Sequence, residues 1–271
     1  MTEDTHDRWA LGDAYDAYMG RWSRLVAREF VDWLRTSPGE HWLEIGCGTG
    51  ALTSTLCAHT DPASVVACDA SASFVEHART RVADPRASFV AAAADSLPSR
   101  PGGFDRIVSG LVLNFIPDPG AALAAMKDRV RSGGVVSGYV WDYLGGIEFL
   151  SQFWTEAVAA DPGAAPLDEA QRFASWNLDH VASLFRGAGL AEVTVAPLTV
   201  RTAFASFDDY WAPFLGSTGP APTYVATLSD EKRDALAERL RAALPRAADG
   251  RIVLHARALA ARGFRPAQGP V

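Results

Sequence analysis

The sequence predicts an open, doubly wound α/β sheet, and three observations carry that reading. Short apolar runs alternate with helix-forming stretches through the first half, the first run passes directly into a glycine-rich turn, and the second ends on an acidic residue. The runs at 42–45, 65–68, 87–91, 104–109 and 134–141 read as strands. Between them, 50–59, 72–83 and 119–130 have helical composition, with Ser71 or Ser73 placed to cap the second. Strands joined in this way lie parallel, with right-handed crossovers.

After residue 141 the rhythm breaks. Residues 143–177 are rich in aromatics, Pro and Gly, with no strand before a predicted helix at 178–187, and are read as a lid. Two alternating strands follow at 192–202 and 251–261, separated by an aromatic insert at 204–223 and a helix at 229–244. No internal repeat is visible. The expected organisation is one domain over 1–271: an N-terminal helical lid at 1–38, a core at 40–142, and lid or substrate inserts at 143–177 and 203–248.

Composition narrows the function. Asp and Glu number 32 against 25 Lys and Arg, a formal charge of −7, which disfavours a surface built to neutralise phosphates and so a nucleic-acid partner. Cys47, Cys57 and Cys68 are odd in number and lack metal-ligand spacing, so neither a disulfide framework nor a metal site is expected. The N-terminus is polar, and no apolar run approaches the roughly 18 residues of a membrane span. A cytoplasmic protein acting on a small molecule fits these features, and a homodimer is compatible with them.

The strongest signal is Leu43-Glu44-Ile45-Gly46-Cys47-Gly48-Thr49-Gly50, an apolar strand running into a glycine turn and then a helix. Glycines let the backbone turn tightly and approach a ligand, while N–H groups at the helix start favour a carboxylate or phosphate. The loop alone also satisfies the relaxed dinucleotide fingerprint. Asp69, closing the next strand, suits a ribose diol in either case. The reading is decided by Glu44 inside the first strand, by Ala94-Asp95-Ser96-Leu97-Pro98 after the third, and by Phe104-Asp105-Arg106-Ile107-Val108-Ser109 as the fourth. Over about residues 40–141 this ordered set resembles the class I S-adenosylmethionine (SAM) methyltransferases, including those of the ubiquinone, menaquinone and natural-product type.

The resemblance implies a Rossmann-like sheet of seven strands, six parallel and one antiparallel, with SAM as cofactor and S-adenosylhomocysteine as product. It implies that Gly46, Cys47 and Gly48 line the methionine moiety, that Asp69 holds the ribose hydroxyls, and that Asp95 receives the adenine amino group, with Gly50, Ala94 and Ser96 also at the cofactor. Ala70 and Phe74 would pack near the adenine, Gly110 and Leu111 would face the methionyl amine, and Glu44 would brace the loop. Arg131-Ser132-Gly133-Gly134 stands where the family usually has a Lys-Pro-Gly-Gly turn and is expected to remain a glycine turn. Tyr18 and Trp22, on a predicted N-terminal helical segment, are candidate lid contacts to the cofactor, with Arg21 or Arg24 near a carboxylate.

The acceptor side is less sharply drawn. After the fourth strand the chain reads Leu113-Asn114-Phe115-Ile116-Pro117, without the Asn/Asp-Pro-Pro-aromatic motif of enzymes that methylate nucleobase or glutamine nitrogens. Methyl transfer needs alignment and exclusion of water, and a base only for some nucleophiles. Asp142 and His180 are the candidate bases; His41, His59 and His77 are given no role. The inserts carry Phe149, Phe153, Trp154, Trp176, Phe207, Tyr210, Trp211 and Phe214, residues that line apolar pockets or form the core of a lid. The leading expectation is an O- or C-methyltransferase for a small, largely apolar or aromatic acceptor. The alternatives are an enzyme using SAM structurally for a rearrangement or cyclisation, a non-catalytic SAM-binding protein, and an NAD-dependent oxidoreductase.

Overall fold

A computed structural model describes residues 19–216 and 219–267. Tyr18 lies outside them. In chain order the elements are α1 (Arg21–Leu34), β1 (His41–Ile45), α2 (Ala51–His59), β2 (Ser64–Asp69), α3 (Ala72–Arg81), β3 (Ala87–Ala91), β4 (Phe104–Gly110), α4 (Pro119–Arg129) and β5 (Val130–Trp141). They continue with α5 (Glu148–Ala160), α6 (Glu169–Arg172), α7 (Leu178–Gly187), β6 (Ala191–Phe204), α8 (Phe207–Trp211), α9 (Pro220–Thr227), α10 (Asp230–Ala243) and β7 (Ile252–Phe264).

The strands form one sheet in the order β3-β2-β1-β4-β5-β7-β6. Six are parallel and one antiparallel, as expected; β7 runs against β5, from Val135 opposite Phe264 to Trp141 opposite Ala258. The order reverses at β1, which pairs with β2 on one side and β4 on the other. In open α/β sheets the crevice beyond the carboxyl ends at such a switch point is where ligands bind.

The chain divides into two compact units. The first, Ser23–Trp141 with Ser175–Leu198 and Ala258–Val271, holds the parallel strands. Its central strands are apolar on both faces because helices cover both: Trp42, Leu43, Val65, Ala67, Ile107, Val108 and Val136 are fully buried. Helix starts follow their local chemistry. Ser71 caps α3 by accepting from the Phe74 N–H, Asp118 caps α4 ahead of Pro119, and Asn177 caps α7.

One local expectation is overturned. Residues 131–134 are not a turn before the fifth strand, for β5 already starts at Val130, which pairs with Phe104. The register shifts between Phe104 and Arg106, and this irregularity absorbs Gly133 at φ +69° within the strand.

The second unit comprises Met1–Trp22, Asp142–Ala174 and Thr199–Arg257. The expected lid at 143–177 contains the helix α5, whose Phe149, Leu150, Phe153, Trp154 and Ala157 are all buried. Phe153 stacks on Phe214 with ring centres 4.5 Å apart, Trp22 meets Phe204 edge-on at 5.2 Å, and the buried Tyr210 donates its hydroxyl to the Phe149 carbonyl at 2.9 Å. The Trp154 indole N–H donates to Glu169 at 2.5 Å. These aromatics therefore form the unit's own hydrophobic core. Among the described residues no helix is long and apolar enough to cross a membrane.

Candidate SAM site

The glycine turn follows β1 at the switch point. Gly46, Gly48 and Gly50 all have positive φ, at +72°, +50° and +87°. At Gly46 the requirement is double, because a Cβ would also lie 2.5 Å from a methyl group of Val112, in the segment after β4. The turn is tied to β2 through the N–H groups of Gly46 and Cys47, which both donate to the Cys68 carbonyl at 2.7 and 2.9 Å. Gly50 then opens α2 without a side-chain cap, so that helix start presents backbone N–H groups.

Asp69 ends β2 beside the turn. One carboxylate oxygen accepts from the Gly48 N–H at 3.0 Å and the other from the Ser71 N–H at 2.9 Å. Two backbone donors thus fix its plane, and each oxygen retains a lone pair for a further hydroxyl. Its own carbonyl accepts from the Ala92 N–H at 2.9 Å, which ties the turn after β3 to the same corner. In that turn Ala94 is half-buried and Asp95 and Ser96 are exposed, and the Ser96 N–H donates to the Ala93 carbonyl. On the other side of Asp69, Ala70 is exposed and Phe74 half-buried in the first turn of α3.

Glu44 is buried inside β1 and accepts from the Thr53 hydroxyl of α2 at 2.5 Å. Burial pushes its carboxyl up to about 8, against the opposing effect of the Thr53 hydroxyl and with the Asp69 charge adding to the rise. It is a neutral acid at pH 7, joining the strand before the turn to the helix after it. Cys47 lies on the turn, and burial, with Glu44 and Asp69, pushes its thiol well above the ordinary range, which argues against a nucleophile.

At the end of β4, Gly110 is closely covered: a Cβ would meet the Tyr139 hydroxyl at 2.8 Å. Leu111 follows at φ +62°, a conformation costly for a side-chain-bearing residue, and its N–H donates to the Tyr139 carbonyl at 2.7 Å. Held strain of this kind collects at ligand sites. Within this unit the fold thus brings together Gly46, Cys47, Gly48, Gly50 and Asp69, with Ala70 and Phe74 directly after Asp69. Two participants were missed from the sequence, Val112 and Thr53. Only Thr53 left a trace there, as a hydroxyl on the first helix after the turn.

The remaining candidates sit differently. Trp22 belongs to the second unit, buried against Phe204, with Arg21 stacked 4.1 Å over its ring and paired to Asp209 at 3.1 Å. Arg24 is exposed. Asp142, also in the second unit, is buried, and one of its oxygens receives both Nε and a terminal nitrogen of Arg257 at 2.7 and 2.6 Å. The other accepts from the Leu144 N–H at 3.1 Å. His180 is half-buried on α7, edge-on to Trp176 at 5.2 Å.

The family described as "Methyltransferase domain" matches residues 43–134, which run from β1 into β5. That stretch is similar to a methyltransferase domain. The chain is 34% identical over 111 residues to a demethylmenaquinone methyltransferase of Beutenbergia cavernae, covering 41% of this chain and 45% of that protein. It is 30% identical over 128 residues to a trans-aconitate 2-methyltransferase of Methylobacterium radiotolerans, covering 47% of each. The curated relatives are matched over 34% to 47% of their own length. A Haemonchus contortus phosphoethanolamine N-methyltransferase, solved with S-adenosylhomocysteine, shares the fold at a TM-score of 0.55 and 18% identity, over 94% of this chain and 57% of that one.

Proposed function

We propose that this protein transfers the methyl group of SAM to a small, largely apolar or aromatic acceptor at oxygen or carbon. The observation that carries the cofactor half is the Asp69 carboxylate, fixed by the N–H groups of Gly48 and Ser71 next to an uncapped helix start. One corner of the sheet thereby offers acceptors for a ribose diol and donors for an amino-acid carboxylate. Gly46, Gly48 and Gly50 would line the methionine portion, Asp95 with Ala94 and Ser96 the adenine edge, and Gly110 and Leu111 the methionyl amine. Glu44 acts behind them by holding the turn to α2.

SAM supplies an electrophilic methyl carbon on a sulfonium, so the chain's task is to align the acceptor in line with that bond and to keep water out. The acceptor class rests on the missing Asn/Asp-Pro-Pro-aromatic motif, on the acidic charge, and on the quinone-pathway relative. With its oxygens already bonded, Asp142 is the weaker of the two candidate bases and fits a positioning role, which leaves His180.

Calorimetry with SAM, S-adenosylhomocysteine and NAD tests the cofactor site. Binding of the first two, weakened about 10-fold or more by Asp69→Ala, is expected from the loss of hydrogen bonds to a charged group. NAD binding without SAM would overturn it. A panel of phenols, quinones, polyketides and carboxylic acids, read by stoichiometric S-adenosylhomocysteine release, tests the acceptor. Turnover of an acceptor without that release would favour a cyclase or rearrangement enzyme.

A further inference from the structure

At the amino ends of β4 and β5, the opposite end of those strands from Gly110 and Leu111, the first unit has a cleft of about 300 Å³. Four arginines line it, Arg100, Arg129, Arg131 and Arg265, against one acidic residue, Asp128. They come from four different places: the loop before β4, the last turn of α4, the start of β5 and the residue after β7. Only Arg131 has a carboxylate partner among the described residues, Asp105 at 2.6 Å. The others are anchored by backbone carbonyls. Arg100 donates from Nη1 to Pro101 and Gly103 at 3.3 and 3.2 Å, Arg129 from Nε to Leu97 at 3.3 Å, and Arg265 from Nη1 to Asp128 and Val130 at 3.2 and 2.7 Å.

A carbonyl orients a guanidinium without neutralising it. Each of these three keeps its full charge and at least one terminal nitrogen with no protein partner among the described residues. A protein of net charge −7 gathers this positive charge around one concavity, where like charges repel unless an anion is shared between them. Arg forks match the paired oxygens of phosphate, and several forks converging from separate elements suit an anion with many oxygens. The negative surface elsewhere disfavours a long polyanion such as nucleic acid.

We propose that this cleft binds a phosphate-bearing small molecule of diphosphate to mononucleotide size, at a site separate from the SAM crevice and independent of the methyl acceptor. The test titrates the full chain with inorganic pyrophosphate by calorimetry at low salt, with citrate as a polycarboxylate of comparable charge. Arg100→Gln and Arg129→Gln are each expected to weaken pyrophosphate about 10-fold, as for the loss of a charge-assisted pair, while leaving S-adenosylhomocysteine affinity within about twofold. The unchanged S-adenosylhomocysteine affinity also shows that the variants are folded. Arg100→Lys, which keeps the charge but loses the fork, should fall between wild type and Gln. No pyrophosphate binding by wild type, or binding unaffected by both Gln variants, overturns the site. Citrate binding as tightly as pyrophosphate overturns the phosphate assignment.

Discussion

Replacing Glu44 with Gln should abolish a pH dependence of stability that the native chain carries. Glu44 ionises at an ordinary 4.5 in the unfolded chain but near 8 in the folded one, chiefly because burial disfavours its charge. Between those values the folded state holds a proton that the unfolded state has released, so stability falls as pH rises, and the whole loss is felt above about pH 8. At about 1.4 kcal/mol per pH unit, the interval from 4.5 to about 8 amounts to roughly 5 kcal/mol, of which about 2 kcal/mol is lost between pH 6 and pH 8. Glu44 is 1% exposed, so solvent screening removes little of this. Gln keeps the shape, can still accept from the Thr53 hydroxyl, and does not titrate. Urea unfolding of wild type and Glu44→Gln at pH 5, 6, 7, 8 and 9 isolates the effect as the difference between two curves, in which every other titrating group cancels. The variant should gain on wild type steadily from pH 5 to pH 8 and then level off. Parallel curves across that range would refute a protonated Glu44 behind the glycine turn.

Gly46→Ala should cost about 2–4 kcal/mol from the left-handed backbone and the Val112 overlap together, and should reduce SAM affinity; adding Val112→Ala should recover the overlap part alone, measured by unfolding and calorimetry. Arg257→Ala leaves the buried Asp142 without its cation and should destabilise by about 1–2 kcal/mol, discounted because the Arg257 side chain is 44% exposed. Asp142→Asn tests the positioning role: a shift in KM with the pH profile of kcat unchanged is expected, whereas loss of an ionisation from that profile would make Asp142 the base. Tyr210→Phe should cost about 1 kcal/mol by urea unfolding, since it removes one buried hydrogen bond to the Phe149 carbonyl with little change in packing.

The sheet was legible in the sequence wherever structure is set locally. The strands before residue 130 stand within a residue or two of their expected bounds, because their alternation with helices and the glycine turn both encode short-range geometry. Helix α5 escaped notice although its apolar residues fall at helical spacing, because the Pro- and Gly-bearing segments around it dominated the reading of 143–177. The early start of β5 was hidden for a different reason, in that pairing with Phe104 outweighed the turn chemistry of two consecutive glycines. In the site, Gly46 and Asp69 could be read from the turn they build. Val112 over Gly46 and Arg257 on Asp142 could not, since contacts across such chain separations leave no periodicity or local motif behind.

The three thiols have a practical consequence. Cys47, Cys57 and Cys68 are buried and free, on the glycine turn, on α2 and in β2, and burial raises Cys57 to about 11 and Cys68 to about 12. An alkylating reagent attacks only a thiolate it can reach, so the native chain should resist labelling at neutral pH until this corner of the sheet opens. The molecule therefore carries a built-in clock for its own local unfolding. A bound nucleoside would slow that clock at Cys47, turning cofactor occupancy into a labelling rate that mass spectrometry can follow without any knowledge of the acceptor.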